Sequence, residues 1–151
     1  MTKDGDWWLR ALLIIVSDLD RSVQFYTDVC GIHEIVREPD CALLGIETMT
    51  GSPAVALRQT SRSGVRAGPN TLGLRACSFY VGSDAELDRV EQRLRALSAF
   101  QDRQLHGDDG RVRMVRGHDP DRLPLSFVTY EPPLTSDEYR SVLSLVYSWD
   151  V

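Results

Sequence analysis

Any chemistry in this 151-residue chain has to come from three histidines, three cysteines, five tyrosines and scattered arginines and carboxylates. His33, His106 and His118 fall on separate segments, without the HxH or HxxxH spacing that brings two imidazoles to one metal. His33 adjoins Glu34 just after Gly31 and reads as a surface residue at a strand start. His106 precedes the Gly107–Gly110 turn and reads as a solvated residue, with the rim of a site as the alternative. His118 opens an Asp-Pro-Asp loop that it can hydrogen-bond. Cys30, Cys41 and Cys77 are odd in number and widely spaced, and no CxxC occurs. Reduced thiols in a cytoplasmic protein are therefore expected, rather than a disulfide framework or a zinc knuckle. A nucleophilic cysteine needs an exposed thiolate beside a base. Cys77 is expected in the core, and the other two flank turns. GxGxxG, P-loop and GxSxG motifs are absent, and Gly64-Val65-Arg66-Ala67-Gly68 is too loosely patterned to cradle phosphate. What remains is acid–base chemistry through Tyr80, Tyr130 or His106. No carboxylate is expected beside them to complete such a set.

Composition sets the frame for these residues. Hydrophobic residues make up 42% and charged residues 26%, as in ordinary globular domains. The length suits one domain with a sizeable core. A net charge of −5 argues against nucleic acid or an anionic membrane surface as partner, since both need a basic patch. Arginine supplies 16 of the 17 basic residues, which reads as compositional bias rather than a binding signal. The longest unbroken apolar run, Ala11–Val16, is far too short to span a membrane.

The order of elements is more informative. ALLIIV at Ala11–Val16 reads as a buried strand. Ser17 or Asp18 caps a helix with Val23, Phe25, Tyr26 and Val29 on its apolar side, and Gly31 ends it. Strands at His33–Arg37, Cys41–Ile46 and Ala54–Gln59 follow, separated by Pro-Asp and Gly-Ser-Pro turns. Thr60–Thr71 is a linker without periodicity. The order then repeats: a strand at Leu74–Val81, a capping box at Ser83–Glu86, a helix over Glu86–Leu97, and strands near Arg103–His106, Val112–Arg116 and Leu125–Tyr130. The fold class is α+β, two βαβββ modules forming a cupped mixed sheet, plus a C-terminal helix. Residues 1–8 form a flexible start, residues 9–131 the domain (modules about 9–60 and 72–131), and residues 132–151 a helical extension. Tyr139, Val142, Leu143 and Val146 give that last helix an apolar stripe, which covers the domain's own sheet or a second subunit.

Three stretches carry a family resemblance. Val16-Ser17-Asp18-Leu19-Asp20-Arg21-Ser22-Val23-Gln24-Phe25-Tyr26 with Cys30-Gly31-Ile32 resembles the opening of vicinal oxygen chelate domains (glyoxalases, bleomycin resistance proteins, extradiol dioxygenases). Cys77–Leu97 resembles the start of their second module. Asp119-Pro120-Asp121-Arg122-Leu123-Pro124-Leu125-Ser126-Phe127 resembles their Asp-Pro-Asp-Gly-Asn-Pro-Leu-Glu-Phe segment. The match spans roughly residues 9–131. Around Val112–Tyr130 it looks most like the non-catalytic N-terminal module pair of two-domain extradiol dioxygenases. In this family His, Glu or Gln from the first and last strands of each module holds a metal. The resemblance puts those four positions at Ala11, Ala56, Ala76 and Ser126. Alanine has no donor atom and a serine hydroxyl is a poor ligand for such metals, so neither a metal nor another cofactor is expected.

Strand alternation then gives the lining of the cup. Ala76 shares a face with Ser78 and Tyr80, Ala11 with Leu13 and Ile15, Ala56 with Ala54 and Arg58, and Ser126 with Val128 and Tyr130. On the strand before the last, either Arg113 with Val115 or Val112 with Met114 joins them. A small, mostly apolar wall with a few polar groups suits an apolar or aromatic organic molecule, and Arg58 or Arg113 can pair with a carboxylate or phenolate on it, unless Arg58 is a solvated charge at the strand end. The competing outcome is a cup filled by Leu13, Ile15 and other side chains. The expected function is a metal-free binding protein for sequestration, resistance or carriage. The alternative is a metal-independent enzyme or an auxiliary subunit of a dioxygenase-like or natural-product pathway. By resemblance the chain is expected to form a homodimer.

Overall fold

The computed structural model describes residues 11–45, 54–60, 74, 76–106, 110–131 and 134–138. The chain divides into two compact units, Met1–Gly64 and Val65–Val151, each built on its own four-stranded sheet.

In the first unit β1 (Ala11–Val16) leads into α1 (Leu19–Cys30), followed by β2 (His33–Arg37), β3 (Cys41–Gly45) and β4 (Ala54–Gln59). The Asp18 side chain accepts from the Arg21 N–H and caps α1, leaving Ser17 outside that role. Gly31 closes the helix in the left-handed conformation at φ 66°, which a side chain would disfavour. The strand order is β1-β4-β3-β2, with β1 and β4 parallel and the other pairs antiparallel. Leu19, Phe25, Tyr26 and Val29 of α1 are buried together with Ile14, Val16, Ala42, Leu44, Val55 and Leu57 of the sheet. Each large side chain of this set contributes about 1.5–3 kcal/mol of burial free energy.

The second unit repeats the plan with β5 (Cys77–Tyr80), α2 (Asp84–Ala96), β6 (Phe100–His106), β7 (Val112–His118) and β8 (Pro124–Tyr130), in the order β5-β8-β7-β6. The Ser83 hydroxyl accepts from the Glu86 N–H at the start of α2. Leu87, Val90 and Leu94 fill the space under that helix with Leu125 and Phe127, and Phe127 stacks on Phe79 at 5.5 Å. Both βαβββ modules are therefore present.

Some bounds differ from expectation. β5 begins at Cys77 rather than Leu74, because in the parallel register the partner of Ala76 would be Pro124, which has no N–H to donate. Residues 84 and 85 join α2, as a cap at Ser83 requires. β6 starts at Phe100 and β7 continues to His118. Ile46, the Thr60–Thr71 linker beyond Thr60, the N-terminal residues and the Tyr139–Val146 stripe lie outside the described residues.

The Asp-Pro-Asp loop shows why its sequence is needed. Asp119 is 1% exposed, and its Oδ1 accepts from the Asp121 and Leu123 N–H groups at 2.9 and 2.8 Å. Arg122, standing where the family pattern has glycine, sits at φ 72°. His118 does hydrogen-bond this loop: its Nδ1 is 3.0 Å from the Asp119 carbonyl, and its Nε2 is 2.9 Å from Arg122 Nη1.

Candidate functional site

Each sheet has one face under its helix and one face turned away from it, and the expected site residues are sorted by that division. In the first unit Leu13 pairs with Ala56, Ala56 with Leu43 and Leu43 with Val36, a continuous row across all four strands on the face away from α1. The next row runs from Ile15 to Arg58 to Cys41. An all-aliphatic β1 reads as a strand buried on both faces, yet Leu13 is 59% and Ile15 54% exposed. Their neighbours Ile14 and Val16 are buried under α1. The sheet hollows over the first row into an open cavity of about 390 Å3, lined by Leu13, Val36, Leu43 and Ala56. Glu38, Asp40 and Cys41 at the β2–β3 turn, with Arg58 of β4 opposite Cys41, border the same cavity. On this face Leu13, Leu43 and Val36 line the hollow.

Arg58 and Asp40 approach to 3.8 Å, both well exposed. The Cys41 thiol donates to Glu38 Oε2 at 3.4 Å, and that bond, with desolvation and the charge of Glu38, raises its pKa above the usual thiol value. Glu38, Asp40 and Cys41 bring ligand atoms within 4.8 Å of one another at an exposed turn.

In the second unit the face away from α2 carries Ser78, Ser126, Arg116 and Asp102 in one row. Tyr80, Val128, Met114 and Gln104 form the next, and Tyr130, Val112 and His106 the third. Arg116 donates through Nε to Asp102 at 2.7 Å and also through Nη2. Those bonds hold the Asp102 carboxyl below the usual carboxylate range and raise the Arg116 pKa. Gln104 bridges Asp102 to His106, at 3.2 and 3.4 Å. Tyr80 and Tyr130 lie with ring centroids 5.0 Å apart. Ser126 is fully buried, and its hydroxyl has no hydrogen-bond partner among the described residues.

Two expectations need correction here. Arg113 is on the helix side of β7, opposite Thr129, and its Nε lies 2.6 Å from Asp84 at the start of α2. The strand's open-face pair is therefore Val112 with Met114, and Arg113 leaves the candidate lining. A carboxylate does stand on this face: Asp102, missed because β6 was expected to start only at Arg103. Arg116 was missed with it, since its open-face position follows only from the register of β7 on β8. The C-terminal segment also changes this face. Leu134 packs on Val112, Met114 and Val128, with Tyr130 beside them. A capping box at Thr135 and Glu138 and an ion pair from Arg111 to Glu138 at 3.4 Å fix this stretch. Part of the second sheet's open face is thus covered by the chain itself.

The four positions of the implied ligand set share one register logic. Leu13 lies opposite Ala56, and Ser78 opposite Ser126; Ala11 and Ala76 each stand two residues before the first member of those pairs. Ala56 is therefore the positional duplicate of Ser126. Cys77 faces the core as expected, and burial pushes its thiol up to about 11. All three cysteines are thiols. Among the described residues no helix is long and apolar enough to cross a membrane.

Comparison with known proteins agrees with this architecture. The Glyoxalase/Bleomycin resistance protein/Dioxygenase superfamily profile matches residues 8–127. A glyoxylase/bleomycin resistance protein/dioxygenase domain from Frankia sp. EAN1pec is 24% identical, with TM-score 0.69 over 84% of this chain and 100% of that one. A genomically encoded fosfomycin resistance protein from Listeria monocytogenes is 18% identical, with TM-score 0.63 over 89% and 98% of the two chains. A lactoylglutathione lyase from Agrobacterium tumefaciens is 20% identical, with TM-score 0.60 over 84% and 96%. At these identities the likeness is one of fold. No curated protein sequence matches significantly. With a profile match running from before β1 into β8 and a duplicated βαβββ plan, the chain belongs to the glyoxalase/bleomycin resistance protein/dioxygenase superfamily.

Proposed function

We propose that this protein binds a small apolar or aromatic molecule on the open face of its first sheet, without the metal that the family resemblance implies, in a sequestration, resistance or carrier role. The observation that carries the reading is the Leu13–Ala56–Leu43–Val36 row around a cavity of about 390 Å3. That volume is in the range of small-molecule sites, and an aliphatic strand face left open to solvent marks a binding surface. Ala11, Ala56 and Ala76 offer no donor atom and Ser126 only a neutral hydroxyl, so this set does not fit a metal centre. The three thiols accord with a reducing compartment, and a cytoplasmic homodimer belongs to the same reading.

The test uses a neutral aromatic probe, 2-naphthylmethanol, titrated into isotopically labelled protein. Amide shifts clustered on β1, β3 and β4, and lost in Leu13→Arg, support the reading. A folded protein whose β1, β3 and β4 amides stay unmoved at saturating probe rejects it.

A second reading, a metal-independent enzyme or auxiliary subunit, has its own support in the Asp102–Gln104–His106 chain beside Tyr80 and Tyr130. Turnover that survives chelator and disappears in His106→Ala or Tyr80→Phe would favour it.

A further inference from the structure

The cavity of the first unit has a charge asymmetry that bears on its ligand. Its floor is the aliphatic row Leu13, Ala56 and Leu43. Its described charged lining is Glu38, Asp40 and Arg58, two carboxylates against one guanidinium. Arg58 is already turned to Asp40, at 3.8 Å. Glu38 has no cation within ion-pair distance among the described residues; its carboxylate accepts only the weak Cys41 thiol bond at 3.4 Å. A ligand anion here would meet an uncompensated carboxylate and compete with Asp40 for Arg58. A ligand cation would find Glu38 available beside an apolar wall.

We propose that this cavity takes a cationic amphiphile, with its aromatic or aliphatic body against Leu13, Leu43 and Ala56 and its ammonium or guanidinium group against Glu38. The inference rests on the binding reading above and replaces the expectation that Arg58 captures a carboxylate or phenolate. Both carboxylates are exposed, so the preference is modest and sensitive to salt. The apolar contact supplies most of the affinity, and the charge selects the ligand.

The experiment compares three probes with one skeleton, 2-naphthylmethylammonium, 2-naphthylmethanol and 2-naphthoate, by calorimetric titration at low and high salt. The cation is expected to bind roughly five- to tenfold more tightly than the anion at low ionic strength, with the neutral probe between them. Glu38→Gln should bring the cation to the affinity of the neutral probe and leave the neutral probe unchanged. Equal binding of all three, or an anion preference lost in Arg58→Ala, overturns the charge assignment and leaves the binding reading standing. Failure of every probe to bind the folded chain overturns both.

Discussion

Leu13 of β1 lies directly opposite Ala56 of β4, and this pair forms part of the floor of the cavity. The small methyl of Ala56 beside a half-exposed Leu13 leaves room on the sheet that a longer side chain would occupy. Ala56→Trp is expected to abolish probe binding, while Leu13→Arg leaves stability within about 0.5 kcal/mol because that side chain is largely in water. Calorimetry of binding and urea unfolding of both variants check this.

The Arg116–Asp102 pair is the main electrostatic element of the second sheet's open face. Arg116 is 7% exposed at its side chain and Asp102 36%. Asp102→Asn removes the Asp102 charge from beside the buried guanidinium and is expected to cost about 1–2 kcal/mol at pH 7, reduced from the fully buried case by the exposure of Asp102. The sign with pH follows from the lowered Asp102 pKa, caused first by the Arg116 hydrogen bonds. The contribution is complete above the unfolded carboxylate value of about 3.9 and is lost as pH falls through the lower folded value. Urea titrations at pH 7 and at acid pH should therefore show the gap between wild type and Asp102→Asn closing on acidification.

Gly117 of β7 has no space for a side chain. A Cβ there would lie 2.5 Å from the Ala99 carbonyl oxygen and 3.0 Å from Leu94. The backbone contact cannot relax by a rotamer change, so Gly117→Ala is expected to destabilise by about 1–3 kcal/mol. For a chain of this size that is a fall in Tm of roughly 2–4 °C per kcal/mol, read by calorimetry.

Arg122 offers the opposite case. It holds a left-handed backbone conformation at φ 72° in the Asp-Pro-Asp loop, where the family pattern has glycine. Arg122→Gly removes a steric cost of about 1 kcal/mol and gives up the contact to His118. A small rise in Tm is expected.

Much of this architecture was legible in the residues. The Asp18 and Ser83 caps, the Gly31 terminus and the repeated strand–helix–strand order come from local chemistry that tertiary packing did not override. The site was less legible. Arg113 and Arg116 lie on opposite faces because faces alternate along β7, and only pairing with β8 says which face is which. Asp102 was hidden because β6 has charged residues on both faces, with Arg103 turned to Asp88 and Glu91 on α2. The cover supplied by Leu134 depends on a contact distant in sequence, which periodicity does not encode. The hollow beside Leu13 is likewise a matter of what fails to cover an aliphatic strand.

Metal retention is the decisive measurement for the metal-free reading. The purified chain would be incubated separately with manganese, iron, nickel and zinc, exchanged into metal-free buffer, and measured by elemental analysis and native mass spectrometry. Under the metal-free reading only trace metal remains, and binding of the naphthyl probes is unchanged after chelation. One retained ion per chain, released by Ser126→Ala and required for probe binding, would contradict it.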